Sequence, residues 1–412
     1  MHTSVVRWLA TAAAVLTASI GVAACGSSSN SGSAANSYTV WDPYPQFDNS
    51  SAWVKLLQSC GSKAGVTVKR TGFDTSDLTN KALLAAQQSN SPDVLVVDNP
   101  VVSTLAEAGV LTSTGDTKID TSGVAPNLLA AGQVDGKTYG TPIGANTLAL
   151  FYNKAILQAA GVDPNSIKDW ASLTTALGKI AGAGKKGITF SAIGTEEGSF
   201  QFLPWFWGAH AQLTQLGSAQ GIAALSLWAN WLRSGYAPNS VLNNTQTTSW
   251  QEFAAGQFAF AENGTWQLAN VAKLGFGYGI IAIPAQNGGA APVPTGGEFI
   301  TVPVQHDSSR YQTDQKLVTC LSSPDNIQAT DGTLSYVGPS SAVQDKQVAA
   351  DPALKVWVDA VHAAKGRTSD NLGTKYPKIS EQLWTAVQAA LSGAKTPDAA
   401  MRAAQSAVGQ PG

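Results

Sequence analysis

The spacing of apolar positions changes several times along this chain, and each change marks an element. The segment YTVW at 38–41 reads as a strand, and residues 51–63 set Trp53, Leu56, Leu57 and Cys60 at helical spacing. A second strand is predicted for VTVKRT at 66–71, and a second helix, rich in Ala and Leu, for 78–88. DVLVVD at 93–98 is an unbroken apolar run, as in a parallel strand covered on both faces. Strand–helix alternation of this kind predicts an α/β layer architecture.

Beyond residue 154 the pattern turns mostly helical. Helices are predicted at 170–181 and at 222–232, the latter with Ala223, Leu227, Trp228 and Trp231 on one side. FLPWFWGAHAQL at 202–213 is strongly aromatic, GYGIIAIP at 277–284 returns to strand character, and EFITVPV at 298–304 is another strand after a turn-rich stretch. Near the end, Ile379, Leu383, Trp384, Val387 and Leu391 keep helical spacing up to Gly393. No internal repeat is visible.

The N-terminal pattern is of a different kind. Arg7 precedes an apolar run from 8 to 24, the length of a secretory signal core and short for a spanning helix. The run ends Val22-Ala23-Ala24-Cys25, which resembles a bacterial lipobox. That resemblance implies cleavage before Cys25 and a lipid on its thiol; the alternative is a plain signal peptide. Residues 1–24 are therefore set apart from the fold, and the small, polar stretch 25–37 is read as a tether. As a random coil its Gly-Ser-rich part spans roughly 17–20 Å.

Composition narrows the function. The 412-residue chain is long enough for two domains. A net charge of −2 leaves no electrostatic footprint for nucleic acid. With Cys25 assigned to lipid, Cys60 and Cys320 remain, and an even remainder in an exported chain suggests a disulfide, two separate buried thiols being the alternative. Gly136-Lys137-Thr138 has the ending of a phosphate loop. The preceding glycine, Gly132, stands one residue too close, and Pro142 and Gly144 oppose the helix such a loop needs. Asp135-Gly136 is read instead as a tight turn between extended segments, with Lys137 in solvent.

Several motifs, in this order, resemble the extracellular solute-binding proteins of bacterial ABC importers, in the sugar-binding branch that includes the maltose-binding protein. They are the lipobox at Cys25, SPDVLVVDNPVVSTLAEAGVLTS at 91–113, the stretch from Asp135 to Tyr152-Asn153-Lys154, FAAGQFAFAENGTWQL at 253–268, TGGEFITVP at 295–303 and LWTAVQAALSGAKTPDAAMRAAQ at 383–405. The resemblance covers nearly all the chain after the signal. It implies a two-lobed α/β fold with discontinuous lobes, 38–145 plus 295–338 and 146–294 plus 339–412. The hinge crossings would lie near 144–147, 294–297 and 338–341, segments that contain glycine, proline or small residues. It also implies delivery of a sugar to permease subunits that work with a separate ATPase. The receptor would be a monomer, held by its lipid at the outer face of the cytoplasmic membrane, without cofactor or metal.

A sugar offers hydroxyls around an apolar ring face, so its site needs planar side chains and short polar ones. Trp41, Asp42 and Tyr44 follow the first strand, and Asp98 and Asn99 the third. Asn146 occupies the position where the resemblance implies a polar ligand contact. Glu197, beside Glu196 in a stretch read as a loop, precedes Trp205 and Trp207, of which one is expected in the site. Trp266 follows a glycine as in the family, Gly297 and Glu298 lie beside Gly296 at the return crossing, and Tyr336 precedes the third. Trp53, Trp170, Trp228, Trp231, Trp357 and Trp384 are expected in the core.

Catalysis finds little support. Glu196 and Glu197 are adjacent, whereas acid–base pairs flank a bond at roughly 5–10 Å. No G-x-S-x-G elbow occurs, and His2, His210, His306 and His362 show no metal-ligand spacing. A glycerophosphodiester, an oligopeptide or another polyol remains an alternative solute, and a structural surface lipoprotein an alternative role. The segments named for the site are poor in arginine, which favours a neutral ligand.

Overall fold

The computed structural model describes residues 37–368 and 372–409; the expected signal segment, Cys25 and the tether through residue 36 lie outside the described residues. Two sheets organise the chain. The first runs in the order Thr67–Gly72, Ser37–Asp42, Val94–Asp98, Glu298–Pro303, Leu111–Thr112, with Thr141–Pro142 pairing beside the fourth strand. The first three are mutually parallel, and Glu298–Pro303 returns antiparallel to Val94–Asp98.

Alternation explains the apolar run at 93–98. Val94 and Val96 pack with Trp53, Leu57, Leu317 and Val318 on one face, while Leu95 and Val97 meet Leu78, Val102, Leu105 and Phe299 on the other. Both faces are covered, so positions 94–97 are all apolar, with Asp93 and Asp98 at the two ends. On the first face, helix Ala52–Ala64 packs against Tyr311–Leu321. These two helices are joined by a disulfide between Cys60 and Cys320 with a Cα separation of 5.6 Å. Closing a loop of 260 residues contributes up to about 5 kcal/mol in the chain-entropy view.

The second sheet runs Tyr278–Ile281, Leu148–Asn153, Phe258–Gly264, Lys186–Thr189. Its largest apolar cluster gathers Trp170, Trp205, Trp228 and Trp231 with Leu383 and Val387 of helix Tyr376–Leu391. Phe151, on the opposite face, packs with Trp250, Phe253 and Trp357. Of the tryptophans expected in the core, Trp384 is only half-buried.

The two sheets belong to two lobes joined by three extended segments lying side by side. Asn146 and Gly296 exchange backbone hydrogen bonds of 3.2 and 2.9 Å, and Ala145 and Val337 exchange two of 2.8 Å. The Thr147 hydroxyl donates to the Pro294 carbonyl at 2.9 Å. Nearby, Gln133–Val134 and Lys137–Thr138 form a small hairpin whose turn residues Asp135 and Gly136 have φ of 49° and 74°. Two left-handed residues in succession match the twist of a tight hairpin, and Lys137 is exposed.

Candidate functional site

Strand register brings the first carboxylates together. Asp98 closes one strand, Glu298 opens its antiparallel neighbour, and the two are paired directly. Tyr44 and Tyr336 both donate to Oε2 of Glu298, at 2.7 and 2.8 Å. Burial, followed by the charge of Asp98, pushes Glu298 up to about 7. Burial likewise raises Asp98, against the opposing pull of Arg367. Both tyrosines are raised well above their ordinary value, first by burial and then by the charge of Glu298.

The second lobe contributes a helix N-terminus. Glu196 and Glu197 form the first turn of helix Glu196–Gly208, where acidic side chains suit the helix dipole. The expectation of a loop here is corrected: Thr195 in extended conformation starts the helix directly at Glu196. Glu196 accepts from Tyr376 at 2.6 Å, from Ser380 and from Arg367. Glu197 accepts the backbone N–H of Gln246 at 2.8 Å.

Arg367 ties these groups together. Its guanidinium is 3% exposed and donates to Glu196 at 2.8 Å, to Asp98 at 3.0 Å and to Asn99 at 3.1 Å. Burial works against its charge, but Asp98 and Glu196 outweigh it and hold the pKa above the ordinary value. The guanidinium also lies 5.0 Å from the centre of the Phe200 ring.

These residues border a cavity of about 440 Å³. Its first-lobe wall consists of Tyr44, Gln46, Asp98, Glu298, Leu334 and Tyr336. Asn146, Gly296 and Gly297 form its floor at the crossings, and Glu196, Glu197, Phe200, Gln246, Trp266 and Arg367 its second-lobe wall. Of the thirteen side chains and backbone positions expected from sequence as ligand contacts, Tyr44, Asp98, Asn146, Glu197, Trp266, Gly297, Glu298 and Tyr336 lie on this cavity.

The others are placed elsewhere, for physical reasons. Asp42 is fully buried and saturated: it accepts from Arg70 at 2.5 and 2.7 Å, from Trp53 Nε1 at 2.9 Å and from the Tyr44 N–H at 3.1 Å. Trp41 points to the opposite sheet face, where its ring meets Phe73 edge-on at 5.0 Å. Asn99 sits behind the cavity and donates to the Thr295 carbonyl at 3.0 Å while accepting from Arg367. Trp205 and Trp207 are both core residues, because their helix is buried from Gly198 onward. Trp205 donates to Glu262 at 2.7 Å, and Lys365 lies over the ring of Trp207.

Arg367, Gln46, Phe200, Gln246 and Leu334 line the cavity without having been expected there. The polar Gly366-Arg367-Thr368 stretch between two helical patterns was the available signal for Arg367, since connecting segments often carry binding groups. Phe200 and Gln246 lie near or at helix starts that sequence periodicity did not locate.

Such a cavity suits binding. Its acceptors, amides and ring faces are arranged around a space, and no groups of three or more His, Cys, Asp or Glu capable of holding a metal occur among the described residues. Comparison with known proteins agrees. Maltodextrin-binding protein MdxE of Bacillus subtilis is 25% identical over 316 residues, covering 69% of this chain and 70% of that protein. A maltooligosaccharide ABC transporter solute-binding lipoprotein of Streptococcus pneumoniae is 26% identical over 260 residues, 59% of each chain. The cyclic alpha-maltosyl-1,6-maltose binding protein from Arthrobacter globiformis shares the fold, with a TM-score of 0.77 at 24% identity over 90% of this chain and 97% of that one. Residues 55–356 match the family described as bacterial extracellular solute-binding protein, and the chain belongs to that family.

Proposed function

We propose that this protein is the solute receptor of an ABC importer, closing its two lobes on a neutral mono- or oligosaccharide and delivering it unaltered to a membrane permease with a separate ATPase. It acts as a monomer, tethered through a lipid on Cys25 to the outer face of the cytoplasmic membrane. The observation that carries the reading is the composition of the cavity. The rings of Tyr44, Phe200, Trp266 and Tyr336 line it together with carboxylates and amides drawn from both lobes. Rings cover the apolar faces of a sugar, and carboxylates and amides take its hydroxyls in pairs.

Charge argues against an anionic solute. Asp98, Glu196, Glu197 and Glu298 face the cavity, and Arg367, the one guanidinium on it, is already engaged by two of them. A phosphate would also meet Glu197 and Glu298, which Arg367 does not pair, and a like-charge contact costs several kcal/mol. The names of the maltodextrin- and maltooligosaccharide-binding relatives support a carbohydrate.

Thermal-shift screening against neutral sugars, polyols, sugar phosphates and glycerophosphodiesters tests this. A true ligand at a hundredfold excess over its dissociation constant adds about 2.7 kcal/mol of stability. Stabilisation by neutral sugars alone is expected. Stabilisation confined to the phosphorylated compounds would overturn the reading.

A further inference from the structure

The indole of Trp266 borders two cavities. One is the cleft just described; the other, also about 440 Å³, lies against helix Gln246–Ala254 and the residues that follow Trp266. The same helix supplies both: Gln246 faces the cleft and Thr247, the next residue, faces the second cavity. Gly264 keeps the indole in this position. A Cβ there would fall 2.1 Å from the six-membered ring of Trp266, so the ring rests on bare backbone.

The second cavity differs in chemistry from the cleft. No carboxylate borders it among the described residues. Trp250 is only 6% exposed. Neither its indole N–H nor that of Trp266 has a protein partner among the described residues, and neither is sealed away like those of Trp207, Trp228 and Trp357. The side chains of Thr247 and Gln251 add a hydroxyl and an amide. Asn270 donates to Gln267 at 2.9 Å and accepts from Lys273 at 3.1 Å, so the one ammonium on this cavity already has an acceptor. Uncharged donors and acceptors beside indole rings match an uncharged, hydroxylated ring.

We infer that this cavity is an accessory carbohydrate subsite, which takes neutral sugar units continuing past Trp266 from a chain held in the cleft. The inference rests on the proposed function and extends it: the receptor prefers oligosaccharides long enough to reach both cavities. Trp266 then serves two neighbouring sugar units. A unit that gains one or two uncharged hydrogen bonds and a ring contact tightens binding by about tenfold.

Calorimetric titration of the mature protein with ladders of α- and β-linked gluco-oligosaccharides, from disaccharide to hexasaccharide, tests it. Wild type is compared with Thr247→Trp, which fills the cavity, and Gln251→Ala, a milder change at an exposed position. Thermal unfolding verifies that both variants are folded. In wild type, affinity should climb about tenfold beyond the length that fills the cleft, and Thr247→Trp should abolish that climb. Equal affinity at every length, or a climb that both variants retain, would overturn the subsite and leave the carbohydrate reading standing. Failure of every ladder to bind would overturn both.

Discussion

Arg367 donates to Asp98 at 3.0 Å and to Glu196 at 2.8 Å, so one guanidinium joins the end of a first-lobe strand to the start of a second-lobe helix. Removing the cation leaves two carboxylates facing each other near Glu298. Breaking a buried pair costs about 3–5 kcal/mol. Glu196 is 38% exposed, so the loss for Arg367→Met belongs at the lower end of that range. Denaturant unfolding reads the stability, and small-angle scattering reads the separation of the lobes, which should increase. Arg367→Lys keeps the charge but not the fork that reaches both partners, and should fall in between. An Arg367→Met protein with wild-type stability and unchanged compactness would remove the inter-lobe role.

Glu298 makes stability depend on pH in a stated direction. Its carboxyl titrates at about 7 in the folded chain against an ordinary 4.5, with burial as the main cause and the Asp98 charge second. The folded protein therefore holds the proton more tightly than the unfolded chain. This contribution is fully present below 4.5 and is lost as pH rises towards 7. Glu298→Gln should flatten that segment of the curve, and the difference between wild-type and variant profiles isolates it from other buried acids. Ligand affinity should run the other way, because sugar hydroxyls donate best to the ionised carboxylate. Titrations at about pH 6 and about pH 8 check the opposite slopes.

The residues themselves explain which features could be foreseen. The short apolar runs at 38–41 and 93–98 define strands because each is packed on both faces, and a continuous run is a local signal. Asp98, Glu298 and Tyr336 could be picked out because strand ends and crossings face the gap between lobes. For Arg367 only the polar connecting stretch was legible, because its position at the cavity depends on partners 269 and 171 residues away in the chain. Trp205 misleads for a related reason. An aromatic beside a polar turn looks like a sugar platform, yet the helix from Glu196 directs it inward to Glu262.

Asp42 gives a third prediction, one that separates scaffold from site. Its two oxygens take four donors from Arg70, Trp53 and the Tyr44 backbone, with no capacity left for ligand. Asp42→Ala strands a guanidinium that is 12% exposed and loosens the turn that presents Tyr44. A loss of about 3–5 kcal/mol is expected in chemical denaturation. At temperatures where the variant stays folded, affinity should fall less than in Tyr44→Phe, which removes a donor to Glu298 directly. A ligand contact at Asp42 would invert that order.

The glycine pair at the return crossing separates hinge strain from ligand contact. Gly297 has φ of 106°, a region costly for residues with a side chain, and a Cβ there would stand 2.5 Å from the carbonyl oxygen of Gly144 in the adjacent crossing. Only separation of the two crossings relieves that contact, at the expense of the bonds between Asn146 and Gly296. Gly297→Ala should therefore lose about 1–3 kcal/mol of stability, seen as a lower unfolding midpoint. At Gly296 a Cβ would meet Oδ1 of Asn146 at 2.0 Å, the tip of a side chain that can swing aside. Gly296→Ala should unfold close to the wild-type midpoint yet bind weakly, because the displaced amide is a cavity group. If Gly297→Ala matched wild type in unfolding, the crossings would yield freely at this point, and the backbone geometry would not hold Asn146 and Glu298 in place.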